Sequence, residues 1–498
     1  MEKKIQIKDI VIWGMFIGFF INMIIRSIYP TDTDVYYIIA EGRNIRANGI
    51  PYTLYNFNFF EIDTVIQNYA WCYLLAFLYD TFGNIGLACL QVIILTLYVI
   101  GVNTLLKMKG SKWTLPERTL ISILILTIGC YINMRPQIIT LTILIYQLII
   151  LEKIHKTKNF LWGYLIIPLT ILHMQIHMSM WIMQIIICLP YVCPIRIDLQ
   201  GKISISIEKY QLKNVVHNIL LPILIFLSTL LNPYGIDGSL YIFNGMGEAG
   251  KFSISELSKP VYISKFGAYI LLLVILTFLF IREFKKHDIY MVLGLALFSM
   301  FAIRNIMFVP IAYISLLATI SSKARFKNFS IKKLPTGFLA IIMVLMFISI
   351  GMDITDGKHF NNSISDNDYF FTGMDDIMAQ IPDKNAKIFC QFMDGNYLEF
   401  HGYKSFWDAR PELGGIKINH KREITEDYLS IVYAKDNMKE ILDFYDFEYM
   451  IVRKQSLVRL ALEKSDSGYE LIYVTTIKEE DDSLNDIRYL FKKKESLN

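Results

Sequence analysis

Apolar runs recur along the chain from residue 10 to residue 351 and then stop, leaving a polar remainder. They fall near residues 10–28, 84–106, 118–134, 136–152, 160–172, 174–193, 215–232, 266–282, 288–303, 305–321 and 335–351, which predicts about 11 transmembrane helices. A hydrocarbon core of about 30 Å takes roughly 20 helical residues, so several of these runs are short. The run at 65–79, with Asn68 inside it and Asp80 at its end, reads as an interfacial or re-entrant helix. The basic N-terminus resembles the start of a signal peptide, but it has no small-x-small cleavage site and runs into Arg26, so it reads as an uncleaved first helix.

Beyond residue 351 the stretch DITDGKHFNNSISDNDYF predicts a linker at 352–368. Residues 369–498 then alternate. AKIFCQF, EYMIVR, YELIYVTT and IRYLFKK read as strands, and YAKDNMKEILDFY and QSLVRLALEK read as helices. The expected fold is an α-helical polytopic membrane module at 1–351, with a long first outer loop at 29–83, followed by a small extracytoplasmic α/β domain at 369–498.

Composition supports this division. In 498 residues the chain is 54% hydrophobic and 19% charged, with mean hydropathy +0.40, which excludes an ordinary soluble protein. Residues 352–498 carry 19 Lys+Arg against 28 Asp+Glu, and residues 1–351 carry 30 against 17. The basic excess therefore belongs to membrane-flanking loops, and no nucleic-acid partner is expected. The six cysteines form no CxxC pair and suggest neither a disulfide framework nor a zinc site. With the N-terminus inside, inner segments hold 22 Lys/Arg and outer segments 7, so the expected topology is N-terminus cytoplasmic and acidic tail outside, in the cell membrane.

This topology gathers ionisable residues on the outer face, where they are costly unless they face a cavity or a partner. Asp32 and Asp34 follow the first helix; a carboxylate there can act as general base or hold a divalent cation against a phosphate. TDTD also reads as a turn and helix N-cap, the stronger reading on those residues alone, and the two are compatible. Arg135, before Pro136 at a helix start, suits a phosphate, or else snorkels to the headgroups. Arg304 between two apolar runs has the same two readings. His173 and His177 share a helical face; without a third ligand nearby they suit substrate hydrogen bonding better than zinc. Asp408, Arg410 and Glu412 in WDARPEL are placed either to cap an acceptor site or to form a salt-bridged loop.

The segment DTDVYYIIAEGRNIRANGIPYTLYNF, followed by WCYLLAFLYDTFGNIGL, resembles the first outer loop of the GT-C glycosyltransferases, bacterial multi-pass proteins above all. NMRPQ, the pair of short runs ending at His177, LNPYG, AIRN and GNYLEFHGYKSFWDARPEL follow in the same order as in those proteins, so the resemblance covers most of the chain. It implies transfer of a sugar, with inversion, from a polyprenyl-phosphate donor to a cell-envelope glycan or lipid acceptor on the outer face, within the surrounding membrane lipids. It makes Asp34 the base and Asp32 a second carboxylate or ligand of Mg or Mn. Arg135, His173, His177, Arg304 and Arg410 become substrate contacts. Val35 departs from relatives that carry an acidic residue there. The alternative is a transporter or flippase of a lipid-linked saccharide, but no internal repeat is visible and the charged candidates lie at the outer edge.

Overall fold

A computed structural model describes residues 7–28, 33–51, 53–54, 62–128, 134–192, 195–198, 204–207, 212–249, 265–281, 284–322, 333–355, 371, 373–475 and 487–494. In chain order these form α1 (Ile7–Ile28), α2 (Asp34–Asn48), the hairpin β1 (Thr53–Leu54) and β2 (Ile62–Asp63), α3 (Tyr69–Met108), α4 (Leu115–Ile128), α5 (Gln137–Thr157), α6 (Ile166–Ile176) and α7 (Ile182–Val192). After them come the hairpin β3 (Ile195–Asp198) and β4 (Ser204–Ile207), then α8 (Leu212–Thr229), α9 (Ile236–Ala249), α10 (Lys265–Phe280), α11 (Lys286–Ser299), α12 (Val309–Ser322) and α13 (Thr336–Thr355). The C-terminal residues add α14 (Met374–Ala379), β5 (Ile388–Phe389), α15 (Phe392–Phe400), α16 (Ile416–Asn419), α17 (Ile424–Val432), α18 (Met438–Tyr445), β6 (Tyr449–Arg453), α19 (Leu457–Leu462), β7 (Tyr469–Val474) and β8 (Arg488–Lys493).

Each apolar run holds a helix, because in an apolar setting the backbone satisfies its own polar groups most simply that way. Four are long and apolar enough to cross a bilayer: Ile7–Ile25, Tyr69–Met108, Gln137–Thr157 and Ile303–Ser322. Ile85, Phe278, Leu279, Phe301 and Ile341 are exposed, as expected of lipid-facing surface in a membrane protein. Two boundaries differ from expectation. The run at 65–79 becomes the first arm of the 40-residue α3, which bends at Gly83 (φ 60°, ψ −148°), a backbone conformation that favours glycine. Helix α13 continues to Thr355, so the first residues of the expected linker are helical; residues 356–368 lie outside the described residues.

The chain forms two compact units, one of residues 1–29, 85–239 and 253–360, the other of residues 30–84, 240–252 and 361–498. In the first, a buried charge cluster joins α3, α5 and α11. Lys109 Nζ lies 2.7 Å from Glu152 Oε1 and 2.5 Å from Asp288 Oδ1, and His287 Nε2 lies 3.0 Å from the same Glu152 oxygen. Glu152, His287 and Asp288 are close enough together to hold a metal ion, but the lysine ammonium already bridges both carboxylates.

In the second unit a four-stranded sheet has the order β5-β6-β8-β7, with β5 and β6 parallel and the other pairs antiparallel. All four expected strands are present, and the helices at YAKDNMKEILDFY and QSLVRLALEK correspond to α18 and α19. Its core is aromatic: Phe389, Phe406, Trp407, Phe447 and Phe491 are buried, and Trp407 stacks on Tyr428 with centroids 4.7 Å apart. Under the sheet, fully buried Arg488 donates from Nη2 to Asp394 Oδ1 at 2.8 Å.

The helix of the first outer loop, α2, packs on α3 and α15. Gly42 lies so close to α3 that a side chain there would collide with the Cys72 carbonyl. Its neighbour Arg43 donates to Asp80 Oδ1 (Nε, 3.0 Å) and to the Phe400 carbonyl (Nη1, 2.9 Å). The Gly-Arg pair thus has a packing reason: glycine for close approach, arginine for the next turn of α3 and the end of α15.

Gly42→Ala is expected to lower stability by about 1–3 kcal/mol, the usual range for overpacking, read as a lower thermal midpoint of the detergent-solubilised protein. Lys109→Met should cost about 3–5 kcal/mol, because two buried carboxylates lose their cation. An unchanged midpoint for Lys109→Met would show that the cluster does not hold its helices together.

Candidate functional site

The first unit holds a polar group built around the start of α5. Pro136 occupies the N-cap position (φ −67°, ψ −7°), one residue earlier than the expected first helical position, and its carbonyl accepts from Thr140 N at 3.0 Å. Arg135, half-buried, sits in the bend before it. Thr140 Oγ1 lies 2.8 Å from His177 Nδ1 and 3.2 Å from His173 Nε2. A hydroxyl has one proton to donate, so it donates to one ring nitrogen and accepts from the other, which suits two neutral imidazoles. Both rings are buried. His173 lies in the last turn of α6, and His177 caps it in an extended conformation (φ −154°, ψ 75°). With a nitrogen of each ring on the threonine, the pair is arranged for hydrogen bonding rather than for a shared metal.

Arg304 lies in the 3₁₀ turn Ile303–Phe308 that leads into α12. It is within electrostatic reach of His177. Its Nε is buried and has no hydrogen-bond partner among the described residues. A buried guanidinium nitrogen without an acceptor is costly in a folded protein, and an incoming anionic oxygen would satisfy it. Thr140 was not legible as a site residue: a threonine at the start of an apolar run carries no signal.

The second unit, taken by itself, holds an acidic group. Asp34 is the first residue of α2, where the helix dipole favours a carboxylate. Thr33, at the N-cap, makes no side-chain capping bond, so the cap reading of TDTD is not realised through its hydroxyl. Asp32 lies outside the described residues. Asp34, Tyr37 and Glu41 follow at helical spacing. Burial, and next the Asp34 charge, hold the Tyr37 phenol well above its ordinary value, so it remains a neutral hydroxyl.

Arg410 is buried among carboxylates. Its Nε donates to Asp408 Oδ2 at 2.8 Å, its Nη1 to Glu41 Oε2 at 3.1 Å and its Nη2 to Glu399 Oε2 at 3.4 Å. Tyr241 donates to Glu412 Oε1 at 2.6 Å. Among Tyr37, Glu41, Tyr241, Arg410 and Glu412 lies a cavity of about 10 Å³, room for about one water molecule. Of the two readings of WDARPEL, this geometry is that of a salt-bridged loop. Glu41 was missed by the sequence reading, although its spacing from Asp34 was a usable signal. One cation faces three carboxyls, and Asp408 makes the tightest pairing. Burial, and then the Asp408 charge, push Glu399 well above the usual carboxylate range, and burial pushes Glu41 up.

No family model and no curated protein matches the sequence. Among solved structures, the chain is similar to the Archaeoglobus fulgidus oligosaccharyltransferase tethered to an acceptor peptide containing the NVT sequon, with TM-score 0.57 and 10% identity over 89% of this chain and 69% of that one. It is also similar to the same organism's oligosaccharyltransferase AglB in complex with an inhibitory peptide and a dolichol-phosphate (TM-score 0.54, 9% identity, 89% and 69% covered). The apo form matches with TM-score 0.53 and 10% identity over the same shares. The chain shares the fold of these oligosaccharyltransferase structures.

The upward shift of the Glu399 carboxyl has a measurable consequence. A carboxyl raised in the folded state contributes stability that is complete below its unfolded value, near 4.5, and is lost as pH rises through the folded value. Glu399→Gln keeps an oxygen for Arg410 and puts an N–H donor where Glu399 Oε1 accepts from the Ser405 hydroxyl at 2.8 Å, so the hydroxyl oxygen becomes the acceptor. The variant should show a flatter decline of thermal midpoint above pH 4.5 than the wild type. An identical pH profile would show that Glu399 is ionised in the folded protein.

Proposed function

We propose that this protein is a multi-pass membrane glycosyltransferase that moves a sugar from a polyprenyl-phosphate donor to a cell-envelope glycan or lipid acceptor on the extracytoplasmic face. The observation that carries this reading is Arg304, whose buried Nε has no acceptor among the described residues, beside the His177–Thr140–His173 chain, in a fold shared with membrane oligosaccharyltransferases. Ionisable groups retained in an apolar bundle without a full set of partners mark binding sites more often than structural ones. The solved complex of AglB with a dolichol-phosphate supports a lipid-phosphate donor for this fold.

In the proposed reaction the Asp34 carboxylate takes the proton of the acceptor hydroxyl as its oxygen attacks the anomeric carbon. The bond from that carbon to the donor phosphate oxygen breaks, and its electron pair leaves with the lipid phosphate. Arg304 and Arg135 bind the phosphate, offering the donors best suited to its oxygens. His177 hydrogen-bonds the donor, while Thr140 and His173 hold its ring in one orientation. Arg410 acts through Glu41, keeping α2 and its Asp34 in register. The oxygen donors of Asp32 and Asp34 suit Mg²⁺ or Mn²⁺, which when bound would neutralise phosphate charge. The proposed topology puts the N-terminus in the cytoplasm, all eleven apolar helices in the membrane, and residues 369–498 outside.

Asp34→Asn should lower transfer about 10²–10⁴-fold, the usual contribution of a general base, with the protein still folded in detergent. The measurement is mass spectrometry of glycolipids and surface glycans from cells carrying wild-type protein, the variant or none. Loss of one sugar in both variant and deletion identifies the product; an unchanged profile with Asp34→Asn removes Asp34 from the chemistry. Treatment with EDTA tests the cation, and full activity afterwards would remove that role from Asp32.

A further inference from the structure

The motif GNYLEFHGYKSFWDARPEL supplies Arg410 to the second unit, but its first residues, Gly395 and Asn396, have no part in the reaction above. Both lie on α15 and both are buried. A side chain at Gly395 would collide with the Trp407 carbonyl, so glycine lets the chain just before Asp408 lie against α15. Next to it, the fully buried Asn396 meets two backbone groups from distant parts of the sequence. Its Oδ1 accepts from Ala409 N at 2.9 Å, and its Nδ2 donates to the Thr33 carbonyl at 3.1 Å. A backbone N–H can donate and not accept, and a carbonyl the reverse, so these partners fix which end of the amide faces which. An aspartate of the same shape would offer oxygen to both and oppose the carbonyl.

Thr33 is the N-cap of α2, and Asp34 is the next residue. A side-chain oxygen of the cap residue ordinarily fixes a helix start, and Thr33 makes no such bond. A hold from outside the helix comes from α15. Asn396 takes the Thr33 carbonyl, and the Tyr36 ring packs edge-on against Phe400 with centroids 5.2 Å apart and tilted against Tyr397 at 5.4 Å. Ring packing tolerates small rotations, whereas a hydrogen bond is directional, and this one falls one residue from Asp34. Ala409 and Arg410 are consecutive, so one loop holds α2 at two points, its start through Asn396 and its middle through Glu41. Thr33 and Glu41 are about 12 Å apart along the helix at 1.5 Å per residue, and two such points set both its axial position and its rotation.

We infer that Asn396 is a positioning residue for Asp34: its amide ties the start of α2 to the loop at Ala409 and so sets the height and direction of the Asp34 carboxylate. The inference rests on the reading of Asp34 as the base. A general base must lie within hydrogen-bond reach of the proton it takes, and misplacing a reacting group by about 1 Å costs about 10²-fold.

The test follows the initial rate of product formation, counted by mass spectrometry, after induced expression of each full-length variant in deletion cells. Asn396→Asp keeps the acceptor for Ala409 N–H and sets a carboxylate oxygen against the Thr33 carbonyl. It should lower transfer about 10–10²-fold at matched levels of folded protein. Two readouts separate positioning from a general loss of stability. In hydrogen–deuterium exchange the amides of residues 34–38 should exchange about tenfold faster, the effect of losing one hydrogen bond, with those of β6 and β8 unchanged. In the Asp34→Asn background, Asn396→Asp should lower transfer no further, since a group that acts through Asp34 has nothing left to position. An equal loss in both backgrounds, or unchanged exchange at residues 34–38, shows a structural role and overturns the inference. If Asn396→Asp does not fold, Asn396→Ala, which removes both bonds without adding a charge, carries the same expectations. Loss of transfer in Asp34→Asn with wild-type transfer in Asn396→Asp overturns this inference alone. Wild-type transfer in Asp34→Asn removes the base reading, and the inference falls with it.

Discussion

Burying Arg410 with Asp408, Glu399 and Glu41 takes one cation and three carboxyls out of water, a cost of several kcal/mol per ion that only mutual pairing offsets. The pairing joins the loop at WDARPEL to the middle of α2 and to the end of α15. Gly42 and Arg43 add the close approach to α3 and the bonds to Asp80 and the Phe400 carbonyl. Asp34, at the start of the same helix, inherits its position from these contacts. With one positive charge for three acids, burial pushes the Glu41 and Glu399 carboxyls up, which favours their neutral forms.

The first unit handles charge in two contrasting ways. Lys109 meets Glu152 and Asp288 directly, so its charge is answered by protein groups, and the pairing ties α5 and α11 to the residue that follows α3. Arg304 is left with a buried donor atom and no acceptor among the described residues. The same physics separates the two cases: a desolvated cation must find an anion, and where the protein does not supply one the ligand does.

Much of the fold was legible. Apolar runs at helical length became helices, since unpaired backbone groups are not tolerated in an apolar setting. The alternation of AKIFCQF, EYMIVR and the closing strands became the mixed sheet, because period-2 patterning buries one face. Less of the site was legible. His173 and His177 were singled out from their spacing, but Thr140, which lies within hydrogen-bond distance of both rings, was not, since any threonine in an apolar run looks alike. Glu41 was missed because its partner Arg410 lies 369 residues away.

The sequence by itself determined the membrane character, the positions of the helices, the acidic and basic halves, and which residues are chemically able to bind phosphate or take a proton. These depend on composition and on periodicities of a few residues. Only the tertiary structure decided that Arg410 is enclosed by carboxyls while Arg304 Nε has no acceptor among the described residues. Arginines with the same chemistry read alike in a sequence. What separates them is the set of side chains that folding brings within about 3 Å, a distance set by packing across the chain and not by any local pattern.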